Sequence, residues 1–191
     1  MRKITLLFGT LLMLAVSAQA QQREQTLLGS PEVRLSGIWG SFDHSYAYFS
    51  DDFAYARGGS IGIEISRSLI VAYAGNEFRQ YPVVGNSGDR FDLQYDGLLL
   101  GYTPNSYRAI HPRFNLFGGS GRARLGESEH DNVFVLKPSV GIELNTTQWF
   151  RVGLEAGYRF IAYDDFDRAA GADLSSPFVN IALRLGLSWG K

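Results

Sequence analysis

The chain has 191 residues, a formal net charge of −1 and no cysteine. The length suits one domain, and the near-neutral charge argues against a nucleic-acid partner. The missing cysteine excludes disulfides, thiolate metal sites and lipid attachment through a cysteine.

Met1-Arg2-Lys3 is basic, residues 4–16 are mostly apolar, and Ala18-Gln19-Ala20 has the small-x-small form that a signal peptidase accepts. The sequence therefore predicts a cleaved signal peptide over 1–20, a short periplasmic lead over 21–32 and a barrel over 33–191. The apolar run is short for a membrane helix, and no later segment offers the roughly 18 consecutive apolar residues such a helix needs. A chain of this kind crosses a membrane only as a closed barrel.

Alternation of period two then recurs along the chain. It predicts eight strands, over 33–42, 60–66, 69–78, 91–102, 113–124, 134–144, 150–160 and 178–189. The last three are cleanest. Phe134, Leu136, Val140, Ile142 and Leu144 alternate with Lys137, Ser139, Gly141 and Glu143. Phe150, Val152, Leu154, Ala156, Tyr158 and Phe160 alternate with Arg151, Gly153, Glu155, Gly157 and Arg159. Val179, Ile181, Leu183, Leu185, Leu187 and Trp189 alternate with Asn180, Ala182, Arg184, Gly186 and Ser188. Within 91–102 the apolar positions change parity after Tyr95, which predicts a bulge at Asp96-Gly97.

Short turns at 67–68, 104–109 and 145–148 alternate with longer polar stretches at 43–57, 79–90, 126–132 and 164–176. That rhythm belongs to an eight-stranded antiparallel up-and-down transmembrane β-barrel, with its tight turns and both termini on the periplasmic side.

The polar face separates a membrane barrel from a soluble one. It holds Gly and Ser among single charges: Glu64, Asp92, Asp96, Lys137, Glu143, Arg151, Glu155, Arg159 and Arg184. Small residues beside long charged ones suit a narrow, side-chain-filled lumen, and the bulky apolar face suits lipid. Trp149, Phe150 and Trp189 at one end, with Tyr158, Phe160 and Tyr163 towards the other, fit two aromatic girdles.

The wording of 136–145 (Leu136-Lys137-Pro138-Ser139-Val140-Gly141-Ile142-Glu143-Leu144-Asn145), of Trp149-Phe150-Arg151-Val152-Gly153-Leu154 and of Gly157-Tyr158-Arg159-Phe160 resembles the OmpX/OmpW-like outer-membrane β-barrel family, especially its Bacteroidota members. The resemblance implies an outer-membrane location and little chemistry. It also implies a C-terminal aromatic for the barrel-assembly machinery, a role that Trp189 fills before Gly190-Lys191. Pro138 lacks the N–H of a paired strand, so a local bulge or a water is expected there.

Some barrels of this size modify lipids with a His, a Ser and a carboxylate. Here the candidates are His44 with Ser45, His130 with Ser128, and His111 near a turn. Each reads as a solvated loop residue, and His44-Ser45-Tyr46 lacks the His-x-Ser-Asn wording of lipid A deacylases. Glu127, Glu129, His130 and Asp131 read as a solvated acidic loop rather than a cation site. Tyr46, Tyr48, Phe49, Phe53 and Tyr55 read as a hairpin continuing above the membrane, with a binding surface as the alternative.

No catalytic, cofactor or metal residue is therefore assigned. The expected function is structural or surface-interacting, in a monomer that meets outer-membrane lipids, the assembly machinery and a ligand at its outer loops. A lipid-modifying enzyme, a narrow transport barrel and a soluble ligand-binding barrel are the alternatives.

Overall fold

The computed structural model describes residues 34–49, 52–79, 83–84, 89–125, 129–163 and 175–189. Residues 1–33, with the expected signal peptide and periplasmic lead, and residues 164–174 of the stretch expected as a polar connection lie outside them.

Among the described residues nine strands form in order: β1 (Leu35–Phe49), β2 (Asp52–Ile65), β3 (Leu69–Phe78), β4 (Val83–Val84), β5 (Asp89–Tyr102), β6 (Ile110–Leu125), β7 (Glu129–Asn145), β8 (Phe150–Tyr163) and β9 (Ser176–Ser188). β4 is a two-residue strand paired only with the start of β5. The other eight are antiparallel neighbours, and the β1–β9 and β3–β5 pairings close the sheet on itself. The eight-stranded up-and-down barrel is as the alternation implies.

The faces follow from the pleat. Successive side chains point to opposite sides of a strand, so Phe134, Leu136, Val140, Ile142, Leu144, Leu154, Phe160, Val179, Ile181, Leu185 and Leu187 stand exposed on the outside. Glu143, Arg151, Glu155, Arg159 and Arg184 are buried on the inside. Narrowness sets the residue sizes within. A Cβ on Gly186 would lie 2.7 Å from the Trp39 ring, and one on Gly157 would lie 2.8 Å from the Phe178 ring. Glycine at these positions lets the inward aromatics lie flat against the wall.

Four expectations are decided by the strand register. First, the stretch 43–57 is the continuing hairpin that its aromatics suggest and not a long loop: β1 and β2 stay paired out to Phe49 and Asp52. The hairpin continues, with Tyr48 packed edge-on against Phe53 at 5.1 Å. Second, Glu129–Asn132 belongs to β7 rather than to a loop. Third, there is no bulge at Asp96-Gly97, because β5 keeps one register with β3 and β6 throughout. Phe91, Leu93 and Tyr95 are instead buried inside, while Asp96 and Gln94 face out. Asp92 shares their outward parity. Apolar residues change face because the interior changes character along its length. Phe78, Phe91, Leu93, Tyr95, Phe117, Val133, Val135, Ile161 and Phe178 form an apolar plug at the long-hairpin end.

The fourth is the bulge or water expected at Pro138. The β7–β8 ladder lapses at 137–138 and resumes in the same register, so the missing N–H leaves a gap without a bulge. At the tight-turn end, Ser66 and Arg67 take positive φ values of 50° and 56°, and Ser68 N–H donates to Ile65 C=O at 3.1 Å. This is the two-residue mirror-image turn that matches strand twist.

Candidate functional site

The tight-turn half of the lumen holds a buried ionic cluster centred on Glu143. β7 brings Glu143 inward, β6 brings His111 and Arg113, β8 brings Arg151 and Glu155, β9 brings Arg184 and β2 brings Glu64. Glu143 accepts from Arg184 Nη1 at 2.8 Å, Arg113 Nη1 at 3.0 Å, His111 Nε2 at 3.2 Å and Arg151 Nη1 at 3.3 Å. Arg184 Nη2 also donates to Glu155, which takes a further bond from Ser139 Oγ at 3.3 Å. Arg151 Nη1 reaches Glu64 Oε2 at 3.3 Å, and Ser188 and Ser36 donate to Glu64 Oε1 at 2.9 and 3.2 Å.

The Arg151 guanidinium lies 3.8 Å above the Trp39 ring, whose Nε1–H donates to Ser188 Oγ at 3.1 Å. Three carboxylates and three guanidinium groups thus cross-link five strands through the interior. Burying charge is costly unless it is paired and hydrogen-bonded, and this cluster meets that condition.

The sequence reading places Glu64, Lys137, Glu143, Arg151, Glu155, Arg159 and Arg184 on the lumen side, and the structure brings them there. Asp92 and Asp96 it places outside, where Asp96 accepts a hydrogen bond from the Tyr73 hydroxyl. Three inward members escaped the sequence: His111, Arg113 and Asp43. Arg113 was detectable, since it shares parity with Asn115 and alternates with Phe114 and Leu116. His111 is 2% exposed, so it is no solvated loop residue.

The geometry separates the candidate catalytic pairs. Ser45 is buried in the lumen, whereas His44 sits on the opposite face of β1 with Nδ1 2.6 Å from the Tyr55 hydroxyl. Adjacent strand residues point apart, so His44 cannot serve Ser45 as a base. His111 contacts Glu143 and the Arg108 carbonyl. Ser128, Glu127 and the side chains of Glu129, His130 and Asp131 lie outside the described residues. Among the described residues no cluster of His, Asp and Glu is arranged to hold a metal ion.

The fold and its filled interior define a class, the small eight-stranded up-and-down barrels typified by outer-membrane proteins. Neisserial surface protein A superposes with a TM-score of 0.61 at 15% identity, covering 80% of this chain and 97% of that one. The N-terminal β-barrel domain of Pseudomonas aeruginosa OprF superposes with a TM-score of 0.58 at 12% identity, covering 80% and 98%. No family model and no curated protein matches the sequence. The kinship rests on fold alone.

Proposed function

We propose that this chain is an outer-membrane barrel with a structural and surface-interaction role, neither a solute pore nor an enzyme. One observation carries the reading: the lumen is plugged twice, by the Glu143 ionic cluster and by the apolar residues around Phe91. The outside supports it. A membrane-crossing strand needs roughly 9–11 residues, yet β1, β6 and β7 have 15, 16 and 17. The excess projects at the long-hairpin end, where Tyr46, Tyr48 and Phe53 are exposed. On the neighbouring wall Gln94, Ser120, Arg122, Arg124 and Asn132 face outward and mark a polar zone above the apolar band.

In this reading residues 1–20 direct export and are removed, and residues 21–32 form a periplasmic lead. The barrel-assembly machinery inserts a monomer among outer-membrane lipids. The wording of 136–160 supports membership of the OmpX/OmpW-like group. Fractionation with heat-modifiable gel migration tests the location, and whole-cell ligand capture by a Tyr46→Ser/Tyr48→Ser/Phe53→Ser variant tests the role. The variant is expected to stay folded in the outer membrane and to lose surface binding. A one-acyl-chain mass change in lipid A that tracks the intact protein would replace this reading with an enzymatic one.

A further inference from the structure

The apolar wall gives way on one side of the barrel. Ile61, Tyr73, Leu98, Gly118 and Leu136 form an outward row across β2, β3, β5, β6 and β7, and all but Gly118 are exposed apolar side chains. One row nearer the long-hairpin end the same strands carry Gly59, Gly75, Asp96, Ser120 and Phe134. The next row carries Arg57, Glu77, Gln94, Arg122 and Asn132. Where Gly59, Gly75 and Ser120 withhold bulk, two open voids dent the outer wall. One, of about 470 Å³, is bordered in part by Phe42, Arg57, Gly75 and Asp96. The other, of about 490 Å³, is bordered in part by Gln94, Asp96, Ser120 and Arg122.

Charge alternates along this dent. Arg57 and Arg122 are exposed, and neither forms an ion pair or side-chain hydrogen bond among the described residues. Glu77 and Arg79, which also border the first void, pair with each other at 2.8 Å. Asp96 borders both voids and accepts from the Tyr73 hydroxyl of the row below. Asp92 and Arg124 face each other one row further out. The dent therefore presents a free cation at each end and a carboxylate in the middle. Three strand spacings separate Arg57 from Arg122, about 14 Å along the wall. A single phosphate meets one of them. Two phosphates at the ends of a sugar unit meet both, and hydroxyl or amide N–H groups of the sugars donate to Asp96 between them. An anion placed at the middle would be repelled.

We infer that the dent binds one bisphosphorylated disaccharide lipid of the lipid A class. Arg57 holds one phosphate and Arg122 the other, Asp96 and Gln94 take the sugar, and the acyl chains run down over Ile61, Tyr73 and Leu98. Such a lipid occupies the outer leaflet, so the site rests on the outer-membrane reading above.

The test refolds the full mature barrel in detergent and counts bound lipid by native mass spectrometry. The probes are lipid A with two phosphates, its derivative with one, and phosphatidylglycerol. The wild-type barrel is expected to keep one lipid A, held about tenfold or more tightly than phosphatidylglycerol. Arg57→Gln and Arg122→Gln should each weaken that binding about fivefold or more. Towards the one-phosphate derivative only one of the two substitutions should still matter, because the other arginine has already lost its phosphate. Gly75→Leu should also weaken lipid A binding. A Cβ there meets nothing nearer than 3.7 Å, so the added side chain enters the void without straining the wall. Heat-modifiable migration shows that each variant is folded, and the wild-type arms need no variant. Equal retention of lipid A and phosphatidylglycerol by the wild-type barrel overturns the inference. So does lipid A binding unchanged in both arginine variants, or an equal loss in both towards the one-phosphate derivative, which would mark general charge attraction. A barrel that fractionates to the outer membrane without preferring lipid A overturns this site and leaves the outer-membrane reading standing; one that fractionates elsewhere overturns that reading.

Discussion

Arg151 on β8 reaches Glu64 on β2 at 3.3 Å, although β9 and β1 stand between those strands in the sheet. The pair therefore crosses the lumen instead of running along the wall. Cross-lumen bonds of this kind make the interior a fastener. Removing Glu143, which accepts from Arg113, Arg151 and Arg184, would take a carboxylate from three buried cations and leave Arg151 with Glu64 and Arg113 and Arg184 sharing Glu155. Breaking a buried pair costs about 3–5 kcal/mol, so Glu143→Ala is expected to lose at least that much in a urea unfolding titration in lipid. A loss below about 1 kcal/mol would show that the cluster does not hold the barrel.

The same bonds bear on conduction. With the Glu143 cluster at one level and Phe78, Phe91, Phe117 and Phe178 at another, no continuous wide path remains. Planar-bilayer recordings of the wild-type barrel are expected to show no large, steady conductance. Stable channels that pass sugar-sized solutes would contradict both plugs.

Lipid and lumen faces should respond differently to substitution. Leu154 is exposed on the outside, and Leu154→Arg should cost about 2–4 kcal/mol near the midplane. Gly153 faces in, and a Cβ there would lie 2.2 Å from Arg184 Nη1. Gly153→Ala should push that guanidinium off Glu143 and Glu155, costing about 1–3 kcal/mol. Raising salt should leave the Leu154→Arg penalty largely unchanged. Equal tolerance of Leu154→Arg and of Ser120→Arg, at an exposed polar position of the outer wall, would refute the face assignment.

Much of this was legible in the sequence, for a physical reason. Along 134–160 and 178–189 the outside is apolar and the inside is charged, so alternation reports both the period and the direction. Along 91–95 the inside is apolar and the outside carries Asp92 and Gln94. Alternation there still reports the period but with its sign reversed, so Leu93 reads like Leu98. His111 was hidden by its place beside a turn, where polar residues are ordinary, whereas Arg113 was readable from its parity with Asn115. The continuing hairpin over 43–57 was readable from its aromatics, since Tyr46, Tyr48 and Phe53 share the outward face.

The contrast between Leu93 and Leu98 gives the last prediction. A bulge at Asp96-Gly97 would put both side chains on the lipid face. The continuous register of β5 with β3 and β6 puts Leu93 inside at 0% exposed and Leu98 outside at 50%. The chain has no cysteine, so Leu93→Cys and Leu98→Cys can each be spin-labelled without background. A label at Leu98 should collide freely with membrane-dissolved oxygen, because that position lies among Leu100, Leu116 and Tyr73 on the apolar exterior. Leu93 lies within the plug, packed among buried aromatics. Leu93→Cys should resist labelling in the folded barrel, and when labelled before refolding should give an immobilised spectrum or hinder barrel closure. Similar oxygen accessibility at the two sites in the folded protein would restore the bulge and remove Leu93 from the lumen.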